Sequence, residues 1–284
     1  MVIQFGSVGK SWNRLKKNRI SVIGIIIVFT FVIIGFLGPL IAPHDPYKQD
    51  LSRALERPSL KCLFGKDQLG RDMLSRIIFG ARISLIISLS TVAWAAGLGV
   101  MIGLIASYFG GRIDEITMRG TDVLMAFPPL LLAIAIISIL GTGIVNLIFA
   151  VGTYTMPTFI RITRACVLSV KQNDYIEASR AVGYGHLNIM FSQILPNILG
   201  PIIVQATLTI GRVGLEAAGL SFLGLGVKPP APEWGVMLST GRVYLRVAPH
   251  VSIIPGMAIM LMVLGYNFLG DGLRDILDPR KSIR

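Results

Sequence analysis

The chain has 284 residues, 53% of them hydrophobic and 15% charged, with a mean hydropathy of +0.69. Charged residues make up about a quarter of an ordinary soluble domain, so this composition excludes that class and marks an integral membrane protein. The formal charge of +12 raises a nucleic acid as partner, but no long basic run is interleaved with aromatics, and membrane topology accounts for the basicity.

Near the start, "GSVGKS" (Gly6 to Ser11) echoes a phosphate-binding loop. That motif needs a glycine where Gln4 stands and a strand in front, so no ATP site is assigned there. A helix crossing roughly 30 Å of hydrocarbon needs about 20 mostly apolar residues, and the first such run covers 20–42. It follows Arg14, Lys16, Lys17 and Arg19 but ends in "GPLIAPHDP" with no small-residue cleavage site, so it reads as a retained anchor. Further spans are expected over 83–107, 122–140, 144–160, 198–222 and 251–269.

Six spans put both ends of the chain on one side. If that side is the cytoplasm it holds 15 of the 27 Lys and Arg residues, including those flanking the first span, as the positive-inside rule asks. The loops 43–82 and 223–250 then lie outside. Pro128 and Pro129, Pro157, Pro255, and Gly97, Gly99 and Gly103 fall inside spans. Membranes tolerate such residues where neighbouring helices or a water-filled cavity satisfy the freed backbone groups; ordinary kinks and packing contacts explain any one of them equally well. Cys62 and Cys166 fall on opposite sides, so they cannot pair, and His44, His186 and His250 have no second ligand at metal spacing. No metal site is expected.

The segment 174–197, "DYIEASRAVGYGHLNIMFSQILPN", is too polar to span and too patterned to be a linker. Asp174 is placed to cap a helix and Glu177 to reach back, as in a capping box. Tyr175, Ala178 and Val182 share a face, and Gly183 ends the helix. Gly183 and Gly185 permit left-handed turns. A second helix begins near His186, carries Leu187, Met190, Phe191 and Ile194 on one stripe, and closes at Pro196. The small residues Ala178, Ser179 and Ala181 suit a partner's groove better than lipid, where Trp, Phe and Leu would be expected.

"EASRAVG" followed by "ILP" resembles the EAA motif of binding-protein-dependent ABC importer permeases, with Ser179 in place of the second alanine and Ile194 directly before Leu195. "KNRISVIGIIIVFTFVIIGFLGPLIAPHDP", "FGKDQLGRDMLSRIIFGARISL" and "EAAGLSFLGLGVKPPAPEWGVML" are similar to segments of the C-type permeases of the dipeptide, oligopeptide and nickel (Dpp/Opp) importers; Lys66 stands where threonine is usual. The resemblance covers nearly the whole chain. It implies an all-α membrane protein of six transmembrane helices with the type I ABC importer permease (MetI-like) fold. Residues 1–80 would hold the N-terminus, first span and outer loop, and 81–284 the permease domain with its EAA loop at 170–197.

The same resemblance implies a permease subunit of an ATP-driven importer in the cytoplasmic membrane of a prokaryote, moving di- or oligopeptides. Nickel complexes or oligosaccharides are alternative cargo. The implied partners are a homologous B-type permease, two ABC ATPases that bind ATP and Mg, an extracytoplasmic solute-binding protein and membrane lipid. This chain would hold no cofactor and catalyse nothing itself. Asp174, Glu177, Ala178, Ser179, Ala181, Gly183, Leu195 and Pro196 would couple it to the ATPases. Gly70, Arg71 and Asp72, with Pro229, Pro230 and Trp234, are candidates for contact with the binding protein, against the plainer reading of loops that cap the bundle.

Arg212 and Glu216, four apart in the fifth span, share a helical face and can pair. Two readings stand: both sit near the outer interface with Arg212 snorkelling, or both line the translocation path. A secondary transporter or channel that uses no ATP also remains, although no internal repeat of the kind such carriers show is visible.

Overall fold

The computed structural model describes residues 19–277. The Gly6 to Ser11 motif, the basic residues before Arg19, and Arg280, Lys281 and Arg284 of the tail lie outside the described residues.

Helix α1 (Arg19–Ile41) is apolar around its circumference, and the residues it buries are small: Ser21, Gly24, Gly35 and Gly38. A Cβ on Gly24 would lie 2.6 Å from the backbone nitrogen of Leu269, and one on Gly38 3.2 Å from Ile78. Lipid supplies no hydrophobic drive between helices, so close backbone approach and dispersion hold α1 in place, with Val28, Phe31 and Ile34 half-buried against the bundle and Phe29, Phe36 and Leu40 exposed.

Asp72 starts α2 (Met73–Phe109) by accepting from the Ser75 backbone N–H at 2.8 Å. Residues 80 and 81 lie inside this helix, so the two expected parts of the chain share one continuous rod. The span expected over 122–140 is not one straight helix. It divides between α3 (Gly111–Ala126) and α4 (Pro129–Leu140), which meet at 92°. Pro128 and Pro129 donate no backbone hydrogen bond, and a residue before proline is driven to extended geometry; Phe127 adopts ψ 138° and Pro128 ψ 127°. α3 is held to α5 (Ile144–Lys171) by ion pairs from Asp114 to Arg164 and from Asp122 to Arg161. Those two arginines lie on α5 itself, which runs a further three turns beyond residue 160.

α2 and α5 form the most extensive helix pair, where Gly99 meets Phe159 and Met156 and Gly103 meets Ile160 and Thr163. The short helix α6 (Asp174–Ala181) follows. α7 (His186–Asn188) then passes through a π-helical turn, Ile189–Ile194, into α8 (Leu195–Phe222). After the loop 223–233 come α9 (Trp234–Gly241), a 3-10 turn at Arg242–Tyr244 and α10 (His250–Leu277). Among the described residues five helices are long and apolar enough to cross a membrane, six if the bent α3–α4 pair is counted as one span.

Ser21 meets Gly272 and Gly24 meets Leu269, so the start of α1 and the end of α10 lie at one face of the bundle. Tyr108, near the end of α2, stands beside Lys171 and His186. The segment joining α5 to α8 lies at the same face, because α1 and α2 run antiparallel through Gly35 against Leu85 and Gly38 against Ile78.

Candidate functional site

At that face, α6 is anchored from beneath by Ile176, fully buried among Leu104, Tyr108, Val167, Ile189, Met190, Ile194 and Ile198. The cap differs from expectation. Asn173 occupies the N-cap position without a side-chain cap bond, and Asp174 and Glu177 lie in the first turn, where negative charge favours the positive end of the helix dipole. The other end is a Schellman motif: Tyr184 N–H donates to Ser179 O and Gly183 N–H to Arg180 O, both at 3.0 Å. Gly183 takes φ +86°, a left-handed conformation that glycine adopts without a Cβ clash. Gly185, at φ −63°, is ordinary extended backbone rather than a second left-handed turn.

The face expected to carry Tyr175, Ala178 and Val182 is not the one that packs on the bundle. Ile176 points inward, Tyr175 is half-buried, and Ala178, Ala181 and Val182 are exposed, Val182 at 77%. Ser179, half-buried, sets its hydroxyl 2.7 Å from the Tyr175 carbonyl and 2.9 Å from Gln193 Oε1. Asn197 Nδ2 donates to the Tyr175 hydroxyl at 3.3 Å. These bonds tie α6 to the rod that becomes α8.

Pro196 does not close the second helix. It sits in the first turn of α8, where a missing N–H costs little, and the π-turn Ile189–Ile194 before it absorbs the lost register. That turn also splits the expected stripe: Met190 and Ile194 are buried, while Leu187 is 69% and Phe191 41% exposed. Leu195, half-buried, packs against the cluster around Ile194. The outcome is a set of exposed apolar side chains, Val182, Tyr184, Leu187 and Phe191, not covered by the described residues, with Glu177 and Arg180 also exposed.

Tyr108 fastens this segment to the spans. Its hydroxyl lies 2.8 Å from His186 Nδ1, its carbonyl accepts from Lys171 Nζ at 2.7 Å, and the Arg180 guanidinium lies 5.6 Å from its ring centre. Nothing in the sequence pattern singled out Tyr108, because its partners lie 63 and 78 residues away.

The outer candidates fare differently. Gly70 takes φ +72°, and a Cβ there would fall 1.8 Å from Asp50 O. Arg71 and Asp72 are buried: Arg71 Nε donates to Asp67 Oδ2 at 2.7 Å, and Asp72 caps α2. Trp234 is fully buried, and its Nε1 donates to Ile77 O at 3.1 Å. Arg76 joins the two outer loops, donating to Pro46 O at 3.1 Å and Pro230 O at 3.4 Å beside Asp67. Gly70, Arg71, Asp72 and Trp234 are therefore interior parts of the cap at the end of the bundle opposite α6, and of the six candidates only Pro229 and Pro230 are exposed. On the cap, the Ser52 hydroxyl and Lys66 ammonium hold Asp50 below the usual carboxylate range, and the Arg53 guanidinium does the same to Glu56. Burial raises Glu233 while the N–H groups of Gly235 and Val236 oppose that shift.

Arg212 and Glu216 do pair, Nε to Oε1 at 3.1 Å, and Tyr154 of α5 donates its hydroxyl to the other carboxylate oxygen at 2.7 Å. They lie at mid-height. Gly211 packs on Val263 and Tyr266, and Gly214 on Met262 and Ser88. Val263 stands 13 residues from His250 and 14 from Leu277, so the pair is level with the centre of α10. Among the described residues no group of His, Cys, Asp and Glu is arranged to hold a metal ion.

Residues 98–283 match the family model described as binding-protein-dependent transport system inner membrane component, and residues 8–58 that of the N-terminal TM domain of oligopeptide transport permease C. The chain is 44% identical over 271 residues to the dipeptide transport system permease protein DppC of Alkalihalophilus pseudofirmus, covering 95% of this chain and 89% of that one. It is 43% identical over 275 residues to the di/tripeptide transport system permease protein DppC of Pseudomonas aeruginosa, covering 95% and 91%. It is also 43% identical over 270 residues to the glutathione transport system permease protein GsiD of Pectobacterium atrosepticum, covering 95% and 90%. In fold it resembles a chain of the MetNI methionine ABC transporter in an inward-facing conformation, with a TM-score of 0.59 at 18% identity, over 72% of this chain and 97% of that one.

Proposed function

The chain belongs to the family of binding-protein-dependent transport system inner membrane components, and from that premise we propose that it lines half of a membrane pathway for small peptides. A homologous B-type permease supplies the other half. Two cytoplasmic ATPases bind ATP and Mg and drive the cycle, and an extracytoplasmic binding protein delivers cargo. The dipeptide, di/tripeptide and glutathione permeases among its relatives support a peptide over nickel complexes or oligosaccharides. Family membership likewise favours ATP-driven import over a carrier that uses no ATP.

One observation carries the coupling role: α6 is gripped from inside by Ile176, Ser179 and Tyr175, while the turn and short helix that follow it present Val182, Tyr184 and Leu187 outward. A helix docked only by its outer face would slip when pushed. Gripped from within, it passes a push to α8, and through Tyr108 to α2, so that ATPase contacts differing between two states can bias the bundle between inward-open and outward-open forms. The face holding α6 is then cytoplasmic, and with it both ends of the chain. Arg212 and Glu216 line the pathway at its middle.

The test is ATP-dependent uptake of a dipeptide by proteoliposomes containing this chain, its partner permease, both ATPases and the binding protein. Uptake is expected only when all are present. Uptake without ATP or without the binding protein overturns the reading.

A further inference from the structure

A guanidinium at mid-height in a membrane protein needs water or a polar partner. Arg212 stands ten residues, about 15 Å, from the nearer end of α8, farther than its side chain reaches along the helix. Its side chain is nonetheless 52% exposed, against 20% for Glu216. It lies on an open stripe of α8 whose members Pro201, Gln205, Leu208, Arg212, Leu215 and Gly219 recur every three or four residues. Glu216 engages Nε, and within the described residues the two Nη groups make no further hydrogen bond.

Planar guanidinium edges recognise carboxylates through two parallel N–H donors. Resting on the peptide-permease reading above, we infer that Arg212 reads the terminal carboxylate of the transported peptide at the middle of the pathway, with Glu216 and Tyr154 as positioning residues. The charge balance favours passing cargo over a fixed acid on the second permease. Arg212 and Glu216 already neutralise each other, so a permanent third charge would leave a net negative charge at mid-membrane, where charge is costly. A zwitterionic peptide adds no net charge and can leave again, as conduction requires. Tyr154, by occupying one oxygen of Glu216, holds that carboxylate in place and keeps it from taking the Nη edge.

The experiment uses the complete complex in proteoliposomes with dialanine and its C-terminal amide, dialaninamide, as probes. Each variant's rate is divided by the wild-type rate for the same probe, so that selection by the binding protein cancels. Arg212→Gln is expected to lower dialanine uptake per ATP hydrolysed about tenfold, the scale of one lost charge-assisted hydrogen bond, with little change for dialaninamide. Arg212→Lys should retain most dialanine uptake, and Tyr154→Phe should lower dialanine selectively but less. Equal loss of both probes, wild-type dialanine uptake by Arg212→Gln, or failure of that variant to co-purify with the second permease would overturn the inference. If Arg212→Gln does not insert, the Tyr154→Phe ratio decides by the same criterion. If the wild-type complex carries dialanine but not the amide, the contrast between Gln and Lys at position 212 decides. A wild-type complex that moves neither probe would overturn the peptide reading and this inference with it, a result distinct from any variant effect.

Discussion

The hydroxyl of Ser179 lies 2.9 Å from Oε1 of Gln193, fastening α6 to the π-turn that leads into α8. The EAA pattern has alanine at that position, and an alanine would leave Gln193 without this partner. A neutral hydrogen bond of this kind contributes roughly 0.5–1.5 kcal/mol net. Ser179→Ala should therefore loosen α6 alone: amide exchange over 175–183 should quicken about fivefold, the factor for about 1 kcal/mol, with the melting temperature of the whole protein unchanged. Hydrogen exchange measured peptide by peptide checks this, and unchanged protection over 175–183 would contradict it.

Inner and outer faces of α6 should separate cleanly. Ile176→Ala removes a fully buried side chain and is expected to cost about 2–5 kcal/mol of local stability. Val182→Asp changes an exposed residue, so the fold should move by less than about 0.5 kcal/mol, while co-purification of the ATPases with the permease should fall. Thermal melts and pull-downs of the two variants, run side by side, give opposite patterns if the two faces have these separate roles.

The outer cap should behave as structure. Gly70→Ala places a Cβ against Asp50 O at a left-handed backbone position, and Arg76→Met removes one of the two arginines beside buried Asp67 together with the donors to Pro46 O and Pro230 O. Breaking a buried charge network by removing one partner costs about 3–5 kcal/mol. Both variants should lower the yield of inserted, protease-resistant protein, whereas Pro229→Ala, on the exposed loop, should not. Limited proteolysis of membranes distinguishes these outcomes.

Much of this architecture was legible because membrane burial writes long apolar runs, and glycine and proline mark where they bend. Gly183 was readable as a helix end since only its backbone conformation matters, and the pairing of Arg212 with Glu216 followed from spacing alone. What the sequence hid depended on partners distant in the chain. Pro196 reads as a stop in any local scheme, and only the π-turn packed against Tyr108 and Val167 lets the helix run through it. Arg71, Asp72 and Trp234 look like surface recognition residues among loop side chains, yet Arg71 is buried on Asp67, Asp72 at the start of α2, and Trp234 against Ile77 and Gly80 of α2 and Phe31 of α1. Tyr154 and Tyr108 carry no local motif, and each is identified only by what faces it across another helix.

The most direct test of coupling through α6 is Gly183→Val. A Cβ at Gly183 meets open space, so the change burdens only the left-handed backbone, by roughly 1–3 kcal/mol, and distorts the Schellman turn without touching the bundle. In the reconstituted complex, ATP hydrolysis and dipeptide uptake should be measured together. Coupling through this segment predicts an inserted and assembled variant that still hydrolyses ATP but moves about tenfold less peptide per ATP, equivalent to about 1.4 kcal/mol; wild-type peptide per ATP would contradict it.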